Sequence, residues 1–200
     1  LALAESTLRL LDRIGVELGA GQDLTEILVN EKGLPGSLLL HASECGYPRF
    51  GRVVCSLALE EAVALHVSEF IETVAVETIR SRSAHSNPSI QLATGEEVTP
   101  DLVILADGGR SHLTESLGLE AQHRPFGRSA ILGRLRVSTP LQGRACERVS
   151  GTRPLALLTV EKDVYGFVWS LSRNHAERLL RSTAVLIEAL KDSMPEELGS

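Results

Sequence analysis

Asp101-Leu102-Val103-Ile104-Leu105-Ala106-Asp107-Gly108-Gly109-Arg110-Ser111-His112 is the stretch whose reading decides the fold. Leu102 to Ala106 form an unbroken apolar run, the pattern of a buried strand covered on both faces, as in the parallel sheet of an α/β sandwich. Such a strand would deliver Asp107 to its carboxyl end, where open α/β sheets place their ligands. An ionised carboxylate there accepts hydrogen bonds from sugar or polyol hydroxyls. Gly108 and Gly109 have no side chains to hold a ligand off the backbone, and both tolerate positive φ. Ser111 suits the N-cap of a helix running to Leu117 and closed by Gly118, and the unpaired amides at such a helix start favour negative charge. Arg110 adds a cation for a phosphate or for an acidic neighbour. A sharp strand-to-helix turn chosen for conformation alone would use the same residues, so the stretch by itself leaves both readings open.

Outward from this turn, the chain divides into two kinds of pattern. On the N-terminal side, Leu3, Leu10, Leu11 and Ile14 fall on one helical face with Leu8 at its edge, and Gly15 supplies a left-handed stop. Glycines and prolines then break the chain, leaving short strands near Ile27 to Val29 and Leu38 to His41, a loop punctuated by Gly46, Pro48 and Gly51, and a strand at Val53 and Val54. Leu57 to Leu65 reads as a short helix. Val74 to Ile79 is rich in β-branched residues, and Ile90 to Leu92 faces Val98 across Thr94-Gly95 as a hairpin. On the C-terminal side the pattern turns to antiparallel β. Ile131, Gly133, Leu135 and Val137 alternate with other residues, and Leu155 to Val160 and Val164 to Trp169 follow around a Lys162-Asp163 turn. Helical character returns from His175 to Leu190, with Leu179, Leu180, Leu186, Ile187 and Leu190 as its apolar stripe. The expected fold is therefore mixed α/β and α+β. Residues 1–125 would form a partial α/β lobe with inserted strands of the second lobe, and residues 126–200 a mostly antiparallel sheet covered by helices.

A chain of 200 residues with 43% hydrophobic content can bury a sizeable core. Its net charge of -6 argues against binding a phosphate backbone, which needs a basic surface to release counterions. No nucleic-acid partner is expected. Arg110, Arg124, Arg128, Arg134, Arg136, Arg144, Arg148 and Arg153 cluster in one stretch and read as solvated strand faces. Cys45, Cys55 and Cys146 lack disulfide or zinc spacing and read as reduced thiols. His41, His66, His85, His112, His123 and His175 share no metal spacing either, so no metal site is expected. The chain carries no apolar run of bilayer length and no charged-then-apolar leader pattern, and is expected to be soluble and cytoplasmic. Glu60-Glu61 and Glu96-Glu97 read as solvated faces. Tyr165, Phe167 and Trp169 alternate on one strand face, where they either wall a flat ligand or pack against the terminal helix.

Val103-Ile104-Leu105-Ala106-Asp107-Gly108-Gly109-Arg110-Ser111 resembles the Asp-Gly fingerprint of the class A FAD-dependent aromatic monooxygenases. The opening run from Leu1-Ala2-Leu3-Ala4-Glu5-Ser6 to Arg13-Ile14-Gly15-Val16 is similar to the segment that follows the first flavin-binding unit in their ubiquinone-biosynthesis branch. The resemblance continues, in family order, through Gly51-Arg52-Val53-Val54, Gly143-Arg144-Ala145-Cys146-Glu147-Arg148 and Pro154-Leu155-Ala156-Leu157-Leu158. It implies an enzyme in which FAD, reduced by NAD(P)H, uses dioxygen to place one oxygen on an electron-rich ring such as a polyprenylated phenol. The protein's part would be to position and shield that chemistry. Asp107 would then bind a cofactor hydroxyl, Gly108 would permit close approach, and Arg110 and Ser111 would fix the turn. The strands from Ile131 to Trp169, with Tyr165, Phe167 and Trp169, would wall the aromatic substrate. No catalytic residue is singled out.

The departures from the family pattern carry their own expectations. A G-x-G-x-x-G turn would seat the pyrophosphate, and Gly19-Ala20-Gly21 does not supply one, since Leu24 stands in place of the next glycine. The later Gly-Asp segment of the family is not found. Cys55 and Ser56 stand where the branch carries an acidic residue and an amide or basic one, and Thr159 replaces a proline. The chain opens at Leu1 without an initiator methionine, so further upstream sequence is expected. By itself the chain is expected to hold FAD weakly, to be inactive, and to self-associate through an uncovered sheet edge as a homo-oligomer. A polyprenylated substrate would bring the full enzyme to a membrane surface, although no basic amphipathic helix stands out. The alternative from a different class is a non-catalytic domain that keeps this fold to bind a ligand or a protein.

Overall fold

Apolar residues spaced two apart build strands whose one face is buried, and most of this chain follows that rule. The computed structural model describes residues 1–80, 88–108, 113–117, 119, 122 and 124–198. The chain folds as two units, Leu1–Glu69 with Phe126–Ser200, and Phe70–Pro125. The first half of the larger unit runs β1 (Ala2–Ala4), α1 (Glu5–Arg13), β2 (Gly21–Leu24), β3 (Glu26–Glu31), β4 (Ser37–His41), β5 (Gly51–Val54) and α2 (Ser56–Val67). The smaller unit holds β6 (Val76–Arg80), β7 (Ser89–Leu92), β8 (Glu97–Val98) and α3 (Leu113–Ser116). The larger unit then resumes with β9 (Arg128–Arg136), β10 (Arg144–Val149), β11 (Leu155–Thr159), β12 (Val164–Ser172), α4 (Arg173–Leu179) and α5 (Thr183–Ser193).

The main sheet has the order β4-β3-β10-β11-β12-β9. Every pairing in it is antiparallel except β3 with β10, where Glu26 to Glu31 run alongside Arg144 to Val149. A second sheet, β1-β5-β2, is antiparallel throughout. The architecture is thus the expected mixed one, a mostly antiparallel sheet covered by helices. On the covered face, Leu28, Ile131, Cys146, Leu155, Leu157, Tyr165, Phe167, Trp169 and Leu171 form one core with Ala176 and Leu179 of α4, Leu190 of α5 and Leu198.

Local chemistry secures this core. The Tyr165 hydroxyl donates to the Leu141 carbonyl at 2.7 Å and accepts from the Leu141 amide at 3.0 Å, pinning the β9–β10 connection to the sheet. Thr159, fully buried, donates through Oγ1 to the Arg144 carbonyl at 3.2 Å. The threonine that stands in place of a proline thus bridges β11 to β10 through its side chain.

Three sequence expectations change. The predicted helix from Leu3 begins two residues later, because Ala2–Ala4 are taken into the ladder with β5. Leu8 is its buried apolar residue, while Leu10 and Ile14 are exposed. The predicted helix from His175 to Leu190 is two helices, since Ser182 takes an extended backbone (φ -147°, ψ 122°) and starts α5 afresh. That break shifts the helical register, leaving Leu180 and Ile187 exposed while Leu179 and Leu190 are buried.

The third correction concerns the smaller unit. Its hairpins match the predicted strands, with Ile90 opposite Val98 and Gly95 at φ +86° in the turn. Leu102 to Ala106, however, form no strand. Leu102 is 73% and Ile104 78% exposed. An apolar run becomes a buried strand only when neighbours satisfy its backbone and cover its faces, and the β6-β7-β8 sheet does not take it up.

Candidate functional site

Side chains alternate across a strand, so a sheet with one face in the core presents its other residues elsewhere. On β10 and β11, Cys146, Leu155 and Leu157 enter the helix-covered core, and Ala145, Glu147, Ala156 and Leu158 occupy the opposite face. There they meet Leu24 of β2, Ile27 of β3, Phe50, Gly51 of β5 and Ala2 to Ala4 of β1 around a cavity of about 350 Å³. Leu24, Val53 and Ala145 form the buried floor of this region, with Ile27, Leu158 and Val160 packed on it. Gly51 is required at the rim, because a Cβ there would collide with the Leu3 carbonyl across the β1–β5 ladder. The small side chains of Ala145 and Ala156 leave room above the sheet, and its size suits a small apolar ligand.

Among the described residues, Glu147 is the one charged side chain in this lining. It sits mid-sheet, opposite Val29 on β3 and Ala156 on β11. Burial among apolar neighbours pushes its carboxyl up from the ordinary value, because desolvation penalises the charged form.

A larger, polar cavity of about 700 Å³ lies beside α1, lined by Glu5, Arg9, Asp12, Glu17, Arg49 and Arg52 among others. Much of its charge is already matched. Glu5 accepts from Arg9 at 3.0 Å and from Arg49 at 2.9 Å, while Asp23 accepts from Arg49 at 3.2 Å and from Arg52 at 2.5 Å. Arg52 and then Arg49 hold the Asp23 carboxyl below its usual range despite some opposing desolvation. This chain of ion pairs ties α1 to β2 and β5, so the smaller apolar cavity, with its unmatched acid, is the better candidate site.

Cys55 precedes α2 and is exposed. As the thiol it makes no capping hydrogen bond, but the amides of Ala58 and Leu57 favour the thiolate and lower its pKa. Among the described residues, no group of three or more His, Cys, Asp or Glu side chains converges as a metal site. No helix among them is long and apolar enough to cross a membrane.

The residues singled out from sequence fall in different places. Asp107 is exposed and Gly108 has φ +71°, with nothing among the described residues within 4 Å of where a Cβ would stand. Arg110 and Ser111 lie outside the described residues. Tyr165, Phe167 and Trp169 are buried in the helix-covered core, so the cavity on the other face is lined by the alternate positions of the sheet. Sequence reasoning missed Glu147. The usable signal was its position one residue after a core cysteine in a strand, flanked on its own face by Ala145 and Val149.

No protein-family model matches the chain. The ubiquinone biosynthesis monooxygenase COQ6 of Danio rerio is 32% identical over 93 residues, 46% of this chain and 19% of the relative. The ubiquinone hydroxylase UbiL of Rhodospirillum rubrum is 27% identical over 175 residues, 84% of this chain and 41% of the relative. The chain is thus similar to monooxygenases of ubiquinone biosynthesis. It spans less than half the length of either relative. The fold of these flavin monooxygenases extends over nearly the whole chain. Pseudomonas aeruginosa PqsL, solved in complex with 2-aminobenzoylacetate, superposes with a TM-score of 0.81 at 18% identity over 98% of this chain and 57% of PqsL. Klebsiella pneumoniae HpxO, solved with FAD and uric acid, superposes with a TM-score of 0.65 at 15% identity over 86% of this chain and 46% of HpxO. FAD is named with these structural neighbours: HpxO was solved with it, and PqsL is described as a probable FAD-dependent monooxygenase.

Proposed function

We propose that this chain is the substrate-side portion of a flavin-dependent monooxygenase that hydroxylates an electron-rich aromatic ring, such as that of a polyprenylated phenol, with NAD(P)H and dioxygen. The observation that carries this reading is the apolar cavity on the sheet face opposite the helices, with a single acid among the described residues of its lining. An aromatic ring buried there gains the transfer energy of its apolar surface, about 25 cal/mol per Å² removed from water. Leu24, Ile27 and Leu158 supply that apolar contact.

FAD, when bound, supplies the oxygen-transferring chemistry. Asp107 and Gly108 fit a role in holding it, the first as an acceptor for a cofactor hydroxyl, the second through its positive-φ backbone. Arg110 and Ser111 belong to the same proposal on sequence grounds. The cavity residues orient the ring and keep water from it, which favours hydroxylation over wasteful release of reduced oxygen. Self-association and a peripheral membrane position, where a polyprenylated substrate would be met, are part of the proposal.

The test is to supply the gene product that carries this chain with FAD, NADPH or NADH, and a phenol, and to measure nicotinamide oxidation against hydroxylated product. Coupled turnover, with flavin retention weakened in Asp107→Ala while thermal unfolding is unchanged, is the expected result. A protein that retains no flavin, or that yields no hydroxylated ring, overturns the reading.

A further inference from the structure

Among the described residues, Glu147 is the only charged group in the lining of the apolar cavity, and it lies half-buried in mid-sheet between β3 and β11. Its neighbours on β10 are occupied: Arg144 pairs with Glu26 at 2.6 Å and Arg148 donates to Asn30 at 3.3 Å. Glu147 takes no part in these contacts, and no ion pair or hydrogen bond to a described residue holds its carboxyl. An acid placed on an apolar wall without a protein partner costs stability, and a ligand that brings the missing hydrogen bond recovers it.

We propose that Glu147 anchors the ring hydroxyl of an aromatic substrate in this cavity and accepts that hydroxyl's proton when the ring is activated. The proposal rests on the monooxygenase reading and gives its cavity a chemical polarity: apolar contact for the ring and its substituents, one acid for one hydroxyl. In the proton transfer the phenolic O–H bond breaks, its electron pair stays on oxygen, and a new O–H bond forms on the carboxylate. The phenolate so formed pushes density into the ring, which makes the ring a better nucleophile toward an electrophilic oxygen. Desolvation raises the carboxyl's pKa, narrowing its gap to that of a phenol, as a base matched to its task requires.

The test uses 2-naphthol and its methyl ether, 2-methoxynaphthalene, as fluorescent probes binding to the 200-residue chain. The wild type is expected to bind naphthol about tenfold more tightly than the ether, the ratio that one hydrogen bond to a carboxyl supplies. Glu147→Gln keeps a hydrogen-bonding group and should retain most of that preference, but bound naphthol should lose naphtholate emission because an amide cannot take the proton. Glu147→Leu, which suits the apolar wall and should keep the thermal transition, is expected to abolish the preference. Equal binding of the two probes by the wild type, or an unchanged preference in Glu147→Leu, overturns the role of Glu147 and leaves the aromatic cavity standing. Failure of both probes to bind overturns the aromatic reading itself, and the anchor with it.

Discussion

Gly133 faces Phe167 across the β9–β12 ladder, and a Cβ on Gly133 would lie 2.6 Å from Cε1 of the Phe167 ring. The ring occupies the space that a side chain would need, which ties a buried aromatic of β12 to a glycine of β9. Gly133→Val is therefore expected to cost about 1–3 kcal/mol, by forcing a core ring from its rotamer. Urea denaturation checks it. Because the cavity lies on the opposite face, binding of 2-naphthol to the folded variant should be unchanged; loss of binding at full stability would contradict the separation of the two faces.

Much of the main sheet was legible because its strands show period-two spacing or short apolar runs. Ile131 to Val137 alternates, Leu155 to Val160 is a short apolar run and Val164 to Trp169 sets its aromatics two apart, and they are β9, β11 and β12. β10 was not read as a strand. Arg144-Ala145-Cys146-Glu147-Arg148-Val149 has three charged residues in six, and its parallel partner β3 lies 118 residues earlier at the Arg144–Glu26 contact. No local pattern encodes such a pairing. The site was harder to read for the same reason, since Glu147 acquires its meaning only when β1, β2, β3 and β5 bring their apolar residues around it. Asp107 and Gly108 illustrate the converse. Their local chemistry was readable, down to the positive φ of Gly108, but the strand predicted before them needed covering partners that the residues themselves do not specify. Tyr165, Phe167 and Trp169 shared a face as their spacing required, and it was the position of α4 and α5 that made this face the core.

The Arg9–Glu5–Arg49–Asp23–Arg52 chain of ion pairs should show in acid unfolding. Asp23 has its pKa lowered in the folded state, first by the hydrogen bond from Arg52. A lowered carboxyl contributes stability above its unfolded value, and that contribution is lost as pH falls through the folded value. Arg52→Gln removes the main cause. The wild type should exceed it by about 0.5–1 kcal/mol at neutral pH, a modest figure because Asp23 is partly exposed. That advantage should fade between about pH 5 and pH 2. Urea melts across this range test it, and a difference that does not change with pH would mean Asp23 is not the group responsible.

The three cysteines should react in a fixed order. Cys55 is exposed and its thiolate is favoured by the amides of Ala58 and Leu57; Cys45 is exposed as well. Cys146 is buried in the core, where desolvation pushes its thiol up to about 11. Alkylation is driven by the thiolate, so iodoacetamide near neutral pH should modify Cys55 first, Cys45 next, and Cys146 only when the protein unfolds. Peptide mass analysis of a time course reads this order. Early labelling of Cys146 would show that the sheet opens locally at β10.

Glu147 should reveal itself through pH even without a ligand. Its carboxyl is raised in the folded state by desolvation. The stability tied to its neutral form is therefore fully present below the unfolded value and is lost as pH rises through the folded one. This is opposite in sign to Asp23. Glu147→Gln stays neutral throughout, so the wild type should match or exceed it in acid and fall behind it as pH rises through the folded value. The change should be at most about 1 kcal/mol, because the cavity is open to water. Occupancy by a phenolic ligand should shrink the gap, since a hydroxyl that donates to the carboxylate repays part of its desolvation, whereas a methyl ether should not. A gap that is flat with pH, or one that both probes narrow equally, would mean that Glu147 is solvated in the folded protein and that the cavity's polarity lies elsewhere.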